Sequence, residues 1–218
     1  MDIKALAQKY EPYIIERRRY FHAHPELSFK EWETTKALVA EFEKMGMEIQ
    51  TFPDYPGLIA TLDTGKPGRT VMLRADIDAL PVKEGTGLDF ASQNEGVMHA
   101  CGHDNHMAML LGAAHILLEK KDELKGKVKF LLQSGEEMAC GAKYYVDHHI
   151  LDGVDAIFGQ HIWGTLDAPY VCVASGNRMA SCDNFTIRVK GLQSHGSAPQ
   201  DGHDAIVAAS AIVMALQT

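Results

Sequence analysis

The 218-residue chain is predicted to be α/β, a helix-covered, mostly parallel sheet followed by the beginning of a smaller α+β segment. Two observations predict this. Short β-rich runs alternate with helical runs as far as Ile162, the pattern of strands joined by helical crossovers. After Trp163 the texture changes to isolated extended runs and one apolar helix, so a boundary is placed between residues 175 and 182, dividing the chain into 1–178 and 179–218.

Leu6 to Phe21 has the spacing of an amphipathic helix. Ser28, with Glu31 three residues later, reads as a capping box opening a second helix over Phe29 to Met45. Gly57 to Leu62 and Thr70 to Ala75 are β-rich runs, and the turn-forming Thr64-Gly65-Lys66-Pro67-Gly68 between them predicts neighbouring strands. Ala108 to Lys120 is predicted helical, Val128 to Gln133 a strand, Ala142 to Ile150 a helix and Ala156 to Ile162 a strand. Beyond these, Tyr170 to Ala174 and Phe185 to Val189 read as strands and Asp204 to Leu216 as a helix. One helix and a strand cannot bury both faces, so the chain is expected to continue past Thr218.

Composition narrows the function classes. A hydrophobic content of 46% supports a sizeable core and excludes a disordered chain. The formal charge of -8 leaves no basic surface for phosphates, so nucleic acid is not an expected partner. Met1 to Tyr10 lacks a signal-peptide core, and no run approaches the roughly 18 apolar residues of a membrane span, so a cytoplasmic location is expected. Cys101, Cys140, Cys172 and Cys182 are scattered and are expected to be reduced thiols. Without a second cysteine at Cys-x-x-Cys spacing, a redox role for Cys101 is a poor alternative.

Of the eleven histidines, seven fall between His99 and His161, which directs attention to metal chemistry. The densest run is His99-Ala100-Cys101-Gly102-His103-Asp104-Asn105-His106, three imidazoles, a thiol and a carboxylate ahead of a helix. Imidazole and thiolate suit zinc and its neighbours, and Cys101 and His103 can aim at one point. The alternative is a polar loop capped by Asp104. Glu136-Glu137 follows an apolar strand, where α/β folds bind ligands. Adjacent side chains diverge, so one carboxylate can bind metal while the other acts as general base, although a solvated acidic turn would look the same. His161 ends the next strand, and alone reads as structural. Asp76 and Asp78 directly follow another strand, and Asp76 is placed to hold a ligating imidazole in its tautomer. The loop Gly191 to Pro199, carrying His195, reads as ordinary surface on chemistry alone.

At this point the chain resembles the metallo-aminoacylase and carboxypeptidase amidohydrolases, in the branch of hippurate hydrolase, N-acetyl-diaminopimelate deacetylase and auxin-amino acid conjugate hydrolases. The resemblance runs from about Arg17 to Ala209 and rests on Arg18 to Ser28, Arg74 to Pro81, Cys101 to His106, Glu136-Glu137 and His161. It implies a zinc-exopeptidase-like catalytic domain followed by the start of a lid or dimerisation domain. It further implies two divalent ions (zinc, manganese, nickel or cobalt) held by Cys101, His103, Glu137 and His161, with Glu136 as catalytic base. Where much of the wider family carries a histidine ligand this chain has Arg74, and a fifth ligand is expected near the C-terminus of the complete enzyme. His195 is implied to reach a partner subunit's site in a homodimer and to stabilise the oxyanion, although Gln193-Ser194 departs from the branch's small residues. The implied reaction is hydrolysis of N-acyl amino acids to a carboxylic acid and a free amino acid. The alternative is a catalytically inactive, truncated metal-binding fragment.

Overall fold

In a computed structural model, residues 2–181 and 183–217 are described, so the expectations placed on Met1, Cys182 and Thr218 lie outside the described residues. The chain divides into two compact units, Met1–Val171 and Cys172–Thr218.

The first unit opens with α1 (Ile3–Ala23), whose N-cap Asp2 accepts a hydrogen bond from the Lys4 N–H, followed by α2 (Trp32–Lys44). Helix α2 starts three residues later than the capping-box reading requires. Glu31 is its N-cap residue but neither its side chain nor that of Ser28 caps it; the Glu26 carboxylate accepts from the N–H groups of Glu33 (3.3 Å) and Thr34 (2.7 Å) instead. Strands β1 (Glu48–Phe52), β2 (Tyr55–Asp63) and β3 (Thr70–Asp76) follow, then α3 (His103–Glu119), β4 (Lys127–Gln133), α4 (Gly141–Asp147) and β5 (Ala156–Gly159).

The sheet order is β1-β2-β4-β3-β5. β2 is antiparallel to both β1 and β4, whereas β3 is parallel to β4 and β5, so four of the five strands point the same way. The expectation that β2 and β3 are neighbours is corrected, because β4 lies between them. The connection between β2 and β3 is held open by the start of β4: the Thr64 N–H donates to the Gly126 carbonyl and the Gly126 N–H to the Lys66 carbonyl. Gly126 has φ +77°, and a Cβ there would lie 2.0 Å from the Arg69 carbonyl oxygen, a fit that only glycine allows.

Alternation along the strands divides the core in two. Leu58, Ala60, Phe130 and Leu132 join Phe21, Leu38, Phe42, Met107 and Leu111 on the face covered by helices, α1 packing on α3 and α2 on β2. Ile59, Met72 and Leu131 point the other way, onto Phe52 and Tyr145. Burying a side chain of this size contributes about 1.5–3 kcal/mol, so these two layers hold the strand ends in place.

In the second unit α5 (Ala205–Ala215) is capped by Asp204, which accepts from the Ile206 and Val207 N–H groups. The strands expected over residues 170–174 and 185–189 are absent among the described residues. An extended segment becomes a strand only by pairing its backbone, and neither segment has a paired neighbour. Among the described residues no helix is long and apolar enough to cross a membrane.

Candidate metal centre

The parallel strands β3, β4 and β5 end on one edge of the sheet, with Asp76 in register with Gln133 and Arg74 with Gly159. Each is followed by residues carrying donor atoms: Asp76 and Asp78, then Glu136-Glu137, then His161. The His99 to His106 run comes to the same edge, with His103 to His106 forming the first turn of α3. Gly102, rather than Asp104, is the N-cap residue of that helix.

His103 is the centre of the arrangement and is fully buried. Its Nδ1 lies 2.8 Å from the Asp78 carbonyl oxygen, which takes the ring proton. In the neutral ring Nε2 is therefore the acceptor. It lies 3.7 Å from Glu137 Oε1, 3.8 Å from Glu136 Oε2 and 3.5 Å from Asp76 Oδ2. His161 repeats the device: its Nδ1 donates to the Ile162 carbonyl, and its Nε2 faces Cys101 Sγ at 3.4 Å.

Three donor triads result: Cys101, His103 and His161; His103, Glu136 and Glu137; and Asp76, His103 and His106, with the donor atoms of each within 4.8 Å of one another. The third is internally satisfied. His106 Nδ1 lies 2.5 Å from Asp76 Oδ1, and its Nε2 accepts the Ile162 N–H at 3.0 Å, so neither ring nitrogen is free for a cation. The sequence expects Asp76 to hold a ligating imidazole; its short bond goes instead to His106, whose ring nitrogens are both taken, while the Asp78 carbonyl faces Nδ1 of His103.

The electrostatics favour a cation. Burial pushes the Cys101 thiol up to about 12, and the carboxylates of Glu137, Glu136 and Asp76 add to the shift. Burial also raises Glu137, against the pull of His103. Burial alone would lower His103, but Asp78, Asp76 and Glu137 outweigh it and raise its pKa. For Asp76 burial opposes ionisation, and His106, Arg74 and His103 together hold the carboxyl well below its usual range. The donors fit a divalent metal: His103 Nε2 and Glu137 Oε1 are buried without a hydrogen-bond partner, the condition a coordinate bond would relieve. Thiolate, imidazole and carboxylate together suit first-row ions.

The expected residues Cys101, His103, Glu136, Glu137 and His161 come together, with Asp76 behind them. His195 belongs to the second unit, where its Nδ1 faces the Ser197 hydroxyl (2.9 Å) and accepts the Ser197 N–H (3.2 Å). The sequence offers no role at the site for the Asp78 carbonyl, His106 or Glu31. The first two lay inside motifs already singled out; Glu31 was read as part of a cap.

Fold and donor set define an α/β protein with donor groups able to hold a metal at the carboxyl edge of its parallel strands. The chain belongs to peptidase family M20/M25/M40, whose pattern matches residues 72–215. It is 41% identical to an N-acyl-L-amino acid amidohydrolase of Geobacillus stearothermophilus over 99% of this chain and 59% of the relative. It is 44% identical to an N-acetylcysteine deacetylase of Bacillus subtilis over 94% of this chain and 54% of the relative. Among solved structures, a dinuclear metal binding peptidase of the M20 family from Bacillus subtilis superposes with a TM-score of 0.69 at 44% identity, covering 75% of this chain and 45% of that one. The chain spans little more than half the length of the curated relatives it matches.

Proposed function

We propose that the whole protein is a cytoplasmic, metal-dependent amidohydrolase that cleaves N-acyl amino acids, such as N-acetyl or N-benzoyl derivatives, to a carboxylic acid and a free amino acid. The observation that carries this reading is the buried, unpartnered His103 Nε2, facing Glu136 and Glu137 beside the Cys101–His161 pair. Family membership and the names of the relatives support it.

Cys101, His103, Glu137 and His161 would hold two divalent ions, zinc, manganese, nickel or cobalt. Bound there, such ions supply Lewis-acid polarisation of a carbonyl and a lowered pKa for water. Glu136 is the more exposed of the two carboxylates, 39% against 18% for Glu137, as suits a base that must meet water and substrate. Glu136 takes the proton from the attacking water and delivers it to the departing amine nitrogen as the C–N bond breaks. His195 accepts at Nδ1 from the Ser197 N–H, and so presents Nε2–H as a donor for the oxyanion. It would do so across a homodimer, toward the partner subunit's site.

The test uses the full-length protein loaded with each metal and a panel of N-acetyl and N-benzoyl amino acids. Metal-stimulated release of free amino acid is expected, with Glu136→Gln abolishing turnover and keeping the metal. Near-full activity in Glu136→Gln, or metal-independent turnover, would overturn the reading.

A further inference from the structure

The connection between α1 and α2 carries the residues that resemble a helix cap, and their side chains do something else. Ser28 Oγ donates to Asp78 Oδ2 at 2.7 Å. The same oxygen accepts the Glu137 N–H at 3.0 Å. Three residues on, Glu31 turns away from its own helix and into the protein, where it is fully buried. Its carboxylate accepts from the Ser134 hydroxyl at 2.9 and 2.8 Å and from the Gly135 N–H at 3.1 Å. Between them Phe29 adopts a left-handed backbone with φ +64°, a conformation costly for a residue with a side chain. Its ring covers Gly135, where a Cβ would fall 2.2 Å from Phe29 Cε1.

The short turn bearing Glu136 and Glu137 is therefore gripped by its backbone. The Gly135 N–H is bound by Glu31 and the Glu137 N–H by Asp78, itself bonded to Ser28. Gly135 has φ +70° and Ala139 φ +54°, so the turn is entered and left in the left-handed region and depends on outside contacts for its direction. A carboxylate is the side chain suited to this place, because it accepts several donors at once and offers none in return. No cation pairs with Glu31 among the described ion pairs. Burial raises its pKa to about 7, against the bonds from Ser134 and Gly135, which favour the carboxylate.

We infer that Ser28–Glu31 is a strap across the site, and that Glu31 is a positioning residue that sets the direction of the Glu136-Glu137 turn. The consequence for metal affinity rests on the metal-centre reading above, but the strap itself does not.

Amide hydrogen exchange at Gly135 and Glu137, measured by NMR in the metal-free full-length protein, tests it together with zinc affinity. Glu31→Gln is expected to speed exchange at Gly135 by about tenfold or more while amides within α3 stay unchanged, and to weaken zinc binding by about tenfold. Ser28→Ala is expected to act at the Glu137 amide in the same way, and it decides the matter if Glu31→Gln loses protection throughout. Exchange at these two amides unchanged in both variants overturns the strap, whatever the zinc result. A wild-type chain that binds no zinc, with exchange accelerated as expected, supports the strap and overturns the metal centre.

Discussion

The Nδ1 of His103 lies 2.8 Å from the backbone carbonyl of Asp78, two residues beyond the end of β3. In the neutral ring this bond commits the proton to one nitrogen and leaves a buried lone pair on the other. His103→Ala should therefore weaken zinc binding by at least about 100-fold with little change in secondary structure, since beyond that carbonyl the ring's close polar contacts are the carboxylates of Asp78, Asp76, Glu136 and Glu137. Competition with a chromophoric chelator measures it, and retained affinity would remove His103 from the ligand set.

Asp76 contacts His106, Arg74 and His103 at once. Asp76→Asn replaces an acceptor with a group that must also donate, loosening His106 and through it the Ile162 N–H beside His161. A fall in zinc affinity of about 10- to 100-fold is expected, with little change in secondary structure by circular dichroism.

A pH dependence is expected from Glu84, away from the metal donors. Burial raises this carboxyl, but the Thr86 hydroxyl, the Ser92 N–H at 2.6 Å and His22 together outweigh it and bring its pKa to about 2. A depressed acid contributes stability that is fully present above its unfolded value of 4.5 and is lost as pH falls through about 2. Glu84→Gln should cost about 1–3 kcal/mol at pH 7. Urea unfolding should show the difference between variant and wild type shrinking below pH 4.5.

Gly126→Ala tests the entry of β4 between β2 and β3. The added Cβ would stand 2.0 Å from the Arg69 carbonyl oxygen at φ +77°. A loss of about 2 kcal/mol or more is expected, read as a lowered midpoint in thermal unfolding. An unchanged midpoint would mean that the turn rearranges freely.

Most helices and strands were legible because their apolar spacing is local: α3, β4, α4 and α5 lie close to where periodicity puts them. Cys101, His103, Glu137 and His161 were named as ligands by the resemblance rather than by their residue types alone, and the fold brings their donor atoms into neighbouring triads. The Ser28 and Glu31 reading failed because a capping box and a strap use the same residue types at the same spacing. Only the partner distinguishes them, and Ser134 lies more than a hundred residues away.

The sequence by itself determined the α/β class and the strand-end positions of the candidate donors, which follow from local periodicity and residue chemistry, and its motifs carried the resemblance to the family. Tertiary structure decided the sheet order, the pairing of Asp76 with His106, the tautomer of His103 and the turning of Glu31 toward Ser134. Each of these is a contact between segments distant in the chain, and hydrogen bonds of that kind are chosen by which groups packing brings together and cuts off from water.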